Sequence, residues 1–201
     1  MKKLIALVLS LLAVASLVAG CSSGKGTTVN SGEKSVTFSL LSSPASLDPA
    51  TTTDGYSLMV ETQLFSMLVE SKGGTSSEIK PDIAESWEMS EDGMTYTFKL
   101  RDDVYFHNGK LLTADDVAYT FNRVMTEPYT AYYAAAIKSV EATDEHTFVA
   151  HLNYPYADFL TLIGGIYFGI CCEEAITAGN DFMYKPVGTG PYKLEGGYIP
   201  G

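Results

Sequence analysis

Positive charge is scarce: 13 lysines and arginines stand against 24 aspartates and glutamates, a net charge of −11 over 201 residues. A surface of that sign repels a phosphate backbone, so nucleic acid is not an expected partner. Histidine is scarcer still, with His107, His146 and His151 scattered and no His-x-x-x-His or His/Cys spacing to preform a metal site. His107 reads as a hydrogen-bonder of a turn or of the core. No Gly-x-Ser-x-Gly elbow or phosphate-binding glycine loop occurs, and Gly188-Thr189-Gly190 is too short and too proline-bound for a nucleotide site. The adjacent carboxylates Asp102-Asp103, Asp115-Asp116 and Glu173-Glu174 point in different directions or cap helices, so they do not face each other as acid and base. No catalytic residue, metal or cofactor is expected. Internal repeats and heptad arrays are also lacking.

Cysteine occurs three times. Cys171 and Cys172 are adjacent and read as two reduced, buried small residues, with a strained vicinal disulfide as the alternative. Cys21 ends a different kind of segment. Lys2 and Lys3 precede an uncharged apolar run over residues 4–18, the layout of a secretory signal peptide and too short to prefer spanning a bilayer. Val18-Ala19-Gly20-Cys21 resembles a lipobox, which implies a signal peptide over residues 1–20 and lipid modification of Cys21; an ordinary signal peptide with a chance cysteine is the alternative. Several acyl chains there would anchor the protein stably to the outer face of a membrane. Residues 21–33 are rich in Ser, Gly and Thr, a flexible tether. Cleavage would remove Lys2 and Lys3, leaving 11 basic and 24 acidic residues and a net charge of −13.

What remains is dense in local signals. Residues 35–41 alternate Val36, Phe38 and Leu40 with small polar residues, which predicts a strand. Apolar positions 58, 60, 64, 65, 67 and 68 predict a helix over residues 58–69. Residues 84–117 follow: Trp87 and Met89 alternate, Asp92-Gly93 turns, and Met94, Tyr96, Phe98 and Leu100 alternate again, a β-hairpin with one buried face. Residues 104–106 restart a strand, Asn108-Gly109 is a second turn, and Thr113 caps a helix with Asp115 and Asp116 in its first turn. That helix runs to about Met125. Residues 137–143 and 147–153 form a second hairpin, with Phe148, Ala150 and Leu152 inward. A short helix then extends to Ile163 and ends at Gly164-Gly165, residues 166–172 are apolar, residues 173–179 are helical, and a Gly/Pro turn over residues 187–192 feeds a strand at 192–194.

Ala84-Glu85-Ser86-Trp87, Asp92-Gly93, the strand ending Leu100-Arg101, Phe106-His107-Asn108-Gly109 and Thr113-Ala114-Asp115-Asp116-Val117 stand in an order that resembles the family 5 solute-binding proteins, the peptide, oligopeptide and nickel receptors of ABC importers. Ser46-Leu47-Asp48-Pro49 and Val187-Gly188-Thr189-Gly190-Pro191-Tyr192 agree, so the resemblance covers roughly residues 34–200. It implies an α/β fold of the periplasmic-binding-protein-like class II, two-lobed type, here incomplete. Residues 34–69 and 171–201 would be part of the first lobe, and residues 70–170 a small inserted α+β domain. Family members are much longer, so the chain is expected to be an N-terminal fragment without the second lobe, and to bind ligand weakly when alone.

The loop over residues 50–56 is rich in hydroxyls and glycine, and either offers backbone groups to a peptide main chain or is a solvated turn capping the next helix through Asp54 or Ser57. The resemblance favours the first reading and implies ligand contacts at Thr53, Asp54, Gly55 and Tyr56. It also implies a contact at Tyr129, whereas Tyr132 and Tyr133 can equally pack on the helix they follow. The implied function is an extracytoplasmic, lipid-anchored, monomeric receptor that captures a peptide or other small solute for an ABC permease. A nickel-chelate or oligosaccharide receptor is the alternative within the family, and an extracytoplasmic hydrolase the alternative outside it.

Overall fold

The computed structural model describes residues 37–71, 78–179 and 181–199. The signal peptide of residues 1–20, Cys21 and the tether of residues 21–33 lie outside the described residues. Residues 40–201 form one compact unit, in which all the elements below lie.

The hairpin block folds as its alternation requires. β3 (Ala84–Met89) pairs antiparallel with β4 (Thr95–Leu100), Trp87 opposite Phe98, and Gly93 takes the turn at φ 68°. β4 then pairs with β6 (Thr147–Leu152), and β6 with β5 (Ile137–Asp144), giving a four-stranded antiparallel sheet of order β3-β4-β6-β5. β1 (Val69–Ser71) and β2 (Ile79–Pro81) make a separate two-stranded ribbon. Phe98 and Phe148 are opposite one another in the register and both fully buried. On the other face two of the three β4–β6 pairs are polar: Lys99 Nζ donates to Thr147 Oγ1 at 2.7 Å, and Thr95 Oγ1 meets His151 Nδ1 at 3.2 Å.

α2 (Ala114–Thr126) lies on the apolar face of this sheet. Its buried residues Ala114, Val117, Phe121 and Val124 recur at helical spacing, and the Phe121 ring sits 4.8 Å from Phe148 and 4.9 Å from Phe168. The helix start is more than a cap. Asp116 is fully buried, and its carboxylate accepts from the Thr113 amide at 3.1 Å, Thr113 Oγ1 at 3.2 Å, Lys110 Nζ at 2.5 Å and the Glu173 amide at 3.2 Å. One carboxylate thus ties the turn before α2 to the start of α4 (Glu173–Thr177). α3 (Phe159–Ile163) and a 3-10 turn (Ile166–Phe168) close the core, with the Phe159 ring 4.6 Å from Tyr96. Cys171 and Cys172 are both buried free thiols. Among the described residues no helix is long and apolar enough to cross a membrane.

Four expected elements differ. The helix expected over residues 58–69 is α1 (Gly55–Leu64), three residues earlier at its start and five shorter at its end. Its final carbonyls are taken from elsewhere: the Tyr192 amide donates to Gln63 O at 3.0 Å and the Gly190 amide to Leu64 O at 2.9 Å. Phe65 turns extended, and Met67 and Leu68 instead accept the amides of Ile83 and Ala84. Residues 37–41 form no strand, residues 35 and 36 lying outside those described, and residues 192–194 form none either. A strand needs a neighbour to satisfy its backbone, and none of the described strands pairs with these segments. Residues 104–106 contribute a single bridge, Tyr105 to Leu111, around Gly109 at φ 87°.

The turn at residues 188–190 fits against α1 so closely that only glycine is accommodated. A Cβ on Gly190 would stand 2.5 Å from Leu64 C and 2.6 Å from Phe65 N, and one on Gly188 only 2.1 Å from Leu64 O. Gly190→Ala is expected to lower stability by about 3 kcal/mol in urea unfolding, as overpacking against immovable backbone does. Gly55→Ala, whose Cβ meets nothing within 4 Å, is expected to change it by less than about 0.5 kcal/mol.

Candidate functional site

The segment before α1 is held by hydroxyls and one carboxylate. Asp54 sits at the N-cap in extended conformation, and its Oδ1 accepts from the amides of Tyr56 at 3.1 Å and Ser57 at 3.0 Å. Its Oδ2 accepts from Thr52 Oγ1 at 2.8 Å and from the Ser57 hydroxyl. Burial pushes the Asp54 carboxyl up, but these hydrogen bonds outweigh it and bring the pKa down to about 2. Ser57 Oγ also receives the amides of Ala45 and Ser46, at 2.9 and 3.2 Å. Asp54 is therefore fully engaged as a helix cap, the second of the two roles open to it from the sequence. Thr53 and Gly55 beside it are exposed, and Tyr56 is half-buried.

Tyr129 follows α2 on an irregular stretch and is 63% exposed. Its neighbour Thr130 is fully buried, with Oγ1 donating toward Ala50 O at 3.2 Å and Val124 O at 3.4 Å. That hydroxyl brings the residue 50–56 loop and the Tyr129 loop together. Tyr132 is 84% exposed, while Tyr133 stacks face to face on Tyr167 at 4.1 Å and shares a 3.3 Å hydroxyl contact with it. Tyr132 meets Tyr133 edge-on at 5.7 Å. The packing of Tyr133 is thus against Tyr167 of the 3-10 turn.

The group beneath the loop has no local signature in the sequence. Arg123, in the last turn of α2, grips Asp48 with both guanidinium nitrogens, Nη1 to Oδ1 at 3.0 Å and Nη2 to Oδ2 at 2.7 Å. The side chains are 14% and 4% exposed. Burial alone would lower the Arg123 pKa, but the Asp48 contact raises it above the ordinary value. Asp48 Oδ1 also accepts the Ala50 amide at 3.2 Å, so the ion pair reaches directly into the loop. Arg123 Nη1 lies 4.0 Å from Cys171 Sγ; burial pushes that thiol well up, so it is no thiolate nucleophile.

Glu61, on the buried side of α1, is the anomaly. It is fully buried and neither carboxylate oxygen has a hydrogen-bond partner. Burial first, and then the negative charges of Asp48 and Asp54, push its pKa up to about 8. Among the described residues no group of three or more His, Cys, Asp and Glu is placed to hold a metal. His107 is a turn residue: Nε2 donates to Gly190 O at 2.9 Å and its amide to Gly188 O at 2.9 Å.

The α/β architecture is shared with periplasmic binding proteins. The structure of the ABC transporter-associated periplasmic binding protein DppA from Helicobacter pylori, in complex with the peptide STSA, superposes with a TM-score of 0.68 at 34% identity, over 77% of this chain and 35% of that one. The fold is thus part of a class II periplasmic-binding-protein fold. Residues 78–201 match the bacterial extracellular solute-binding proteins, family 5 Middle, and the chain belongs to that family. Heme-binding protein A of Haemophilus influenzae is 36% identical over 176 residues, covering 74% of this chain and 32% of that protein. Di/tripeptide-binding protein 2 of Pseudomonas aeruginosa is 32% identical over 176 residues, covering 74% and 33%. The chain spans about a third of the length of these relatives.

Glu61 makes stability depend on pH with a definite sign. Against an ordinary value of 4.5, the folded carboxyl is pushed up to about 8, so the stability this group contributes is fully present below 4.5 and is lost as pH rises through that window. The slope from this group is at most about 1.4 kcal/mol per pH unit. In urea unfolding at roughly pH 5 and pH 8, Glu61→Gln is expected to lose less stability between the two than the wild type; equal losses would show that Glu61 is ionised throughout.

Proposed function

We propose that this protein is the extracytoplasmic substrate-binding component of an ABC importer, anchored to a membrane through lipid on Cys21, and that it captures peptides or related small solutes as a monomer and hands them to a permease. The observation that carries the reading is the junction at Thr130. Its hydroxyl holds the loop with exposed Thr53 and Gly55 against the loop with exposed Tyr129, so backbone groups and an aromatic ring are presented together. Backbone hydrogen bonding without side-chain readout suits a receptor for many peptide sequences. In this reading Thr53, Gly55, Tyr56 and Tyr129 touch ligand, and Asp54 shapes their loop as its cap. Residues 34–69 and 171–201 form part of one lobe and residues 70–170 a small inserted domain, with hinge closure enclosing the solute. The relatives named for di- and tripeptides and the peptide-bound neighbour support peptides as the ligand class. A planar ligand such as heme is the second reading, supported by the Tyr133–Tyr167 stack and by the relative named for heme.

The test is uptake in cells carrying the gene at its native locus. Deletion is expected to abolish uptake of a radiolabelled di- or tripeptide. Tyr129→Ala is expected to slow it about tenfold at limiting ligand, the loss of one aromatic contact, and Cys21→Ala to release the protein from the membrane fraction. Undiminished peptide uptake in the deletion, with heme uptake lost, would move the assignment to the planar ligand.

A further inference from the structure

Outside the candidate ligand face, three segments converge on a pocket of about 470 Å³ lined in part by His107, Lys185, Lys193, Glu195, Gly196 and Gly197. Its construction is not incidental. His107 is fixed by two hydrogen bonds to the 188–190 turn. The Tyr198 amide donates to Tyr184 O at 2.7 Å and its hydroxyl to Pro44 O at 2.8 Å, holding the segment of Glu195, Gly196 and Gly197 against Lys185. Gly196 and Gly197 both have positive φ, 77° and 85°, and a Cβ at Gly197 would stand 3.2 Å from the Lys185 Cγ. The lysine stem is therefore packed against the glycine turn.

Lys80, Arg101, Lys110 and Arg123 are each in an ion pair, with Glu78, Asp103, Asp116 and Asp48 respectively. Lys99, Lys138, Lys185 and Lys193 are the described cations outside any ion pair, and the last two share one pocket. Glu195 is the single carboxylate among the lining residues, leaving an excess of one positive charge from these three. Two lysines lining one pocket, one of them with its stem packed against a pinned glycine turn, favour a small negatively charged guest carrying oxygen acceptors.

We propose that this pocket binds a small oxyanion, a carboxylate or phosphate group, between Lys185 and Lys193. The proposal is independent of the peptide reading, because it uses none of the residues assigned there. The ¹⁵N-labelled native protein, titrated with inorganic phosphate and separately with acetate at ionic strength held constant with chloride, supplies the test. Saturable shifts of the Gly196 and Gly197 amides are expected with phosphate, acetate or both, and which anion saturates identifies the group. The exposed pair Lys185→Ala/Lys193→Ala is expected to weaken binding at least about tenfold, the usual worth of a charge-assisted hydrogen bond. Gly197→Ala, which pushes on the Lys185 stem, is expected to weaken it less. Shifts that follow ionic strength whatever the anion, or unchanged affinity in the double variant, would overturn the proposal.

Discussion

The ion pair between Asp48 and Arg123 is the contact on which the rest of the structure depends. It closes a separation of 75 residues, joining the loop that leads into α1 to the last turn of α2. A buried guanidinium without a carboxylate is strongly unfavourable, and a buried carboxylate without its cation equally so. The bidentate geometry leaves each charge satisfied and orients the Asp48 side chain toward the Ala50 amide. From there the hydroxyl chain of Ser46, Thr51, Thr52 and Ser57 carries the order forward to the Asp54 cap.

α1 spans the two ends of this arrangement. Its N-terminus is capped by the carboxylate of the candidate ligand loop, and its C-terminal carbonyls are consumed by the 188–190 turn. Under it lies the body made by α2 and the four-stranded sheet, where Phe98, Phe121, Phe148 and Phe168 are fully buried. Glu61 is the exception in this otherwise satisfied interior. Burial and the negative Asp48 and Asp54 make a further anion unfavourable, which favours the protonated carboxyl. A neutral acid at such a site avoids the cost of a buried charge, although it leaves two oxygens without hydrogen bonds.

What could be read from the sequence was what neighbouring residues encode. Both hairpins, the Asp92-Gly93 and Asn108-Gly109 turns, the Thr113 start of α2 and the Gly164 end of α3 depend on alternation, positive φ or capping within a few residues. The class of fold was legible for a different reason, the ordered motifs from Ala84 to Val117. The Asp48–Arg123 pair, the Thr130 bond to Ala50 and the orphaned Glu61 had no such signal, since each arises from contacts across dozens of residues. The end of α1 was misplaced because Phe65, Met67 and Leu68 look like a helical stripe but serve an extended segment paired with residues 83 and 84. Neither the alternation at residues 37–41 nor the turn before residues 192–194 makes a strand, because a strand needs a neighbour and none of the described strands pairs with them. Asp54 caps α1 through its hydrogen bonds, and with Thr53, Gly55, Tyr56 and Tyr129 it belongs to the proposed ligand face.

The claim that the ion pair positions the candidate ligand loop is tested most directly by amide hydrogen exchange on Arg123→Met. Loss of the guanidinium is expected to speed exchange at the Ala50, Tyr56 and Ser57 amides, which donate to Asp48 and Asp54, by roughly a hundredfold if local opening becomes about 3 kcal/mol easier. The sheet amides of Phe98 and Phe148 should change far less. Equal acceleration across the sheet and the loop, or no acceleration in the loop, would contradict it, because the pair would then serve global stability alone or neither purpose.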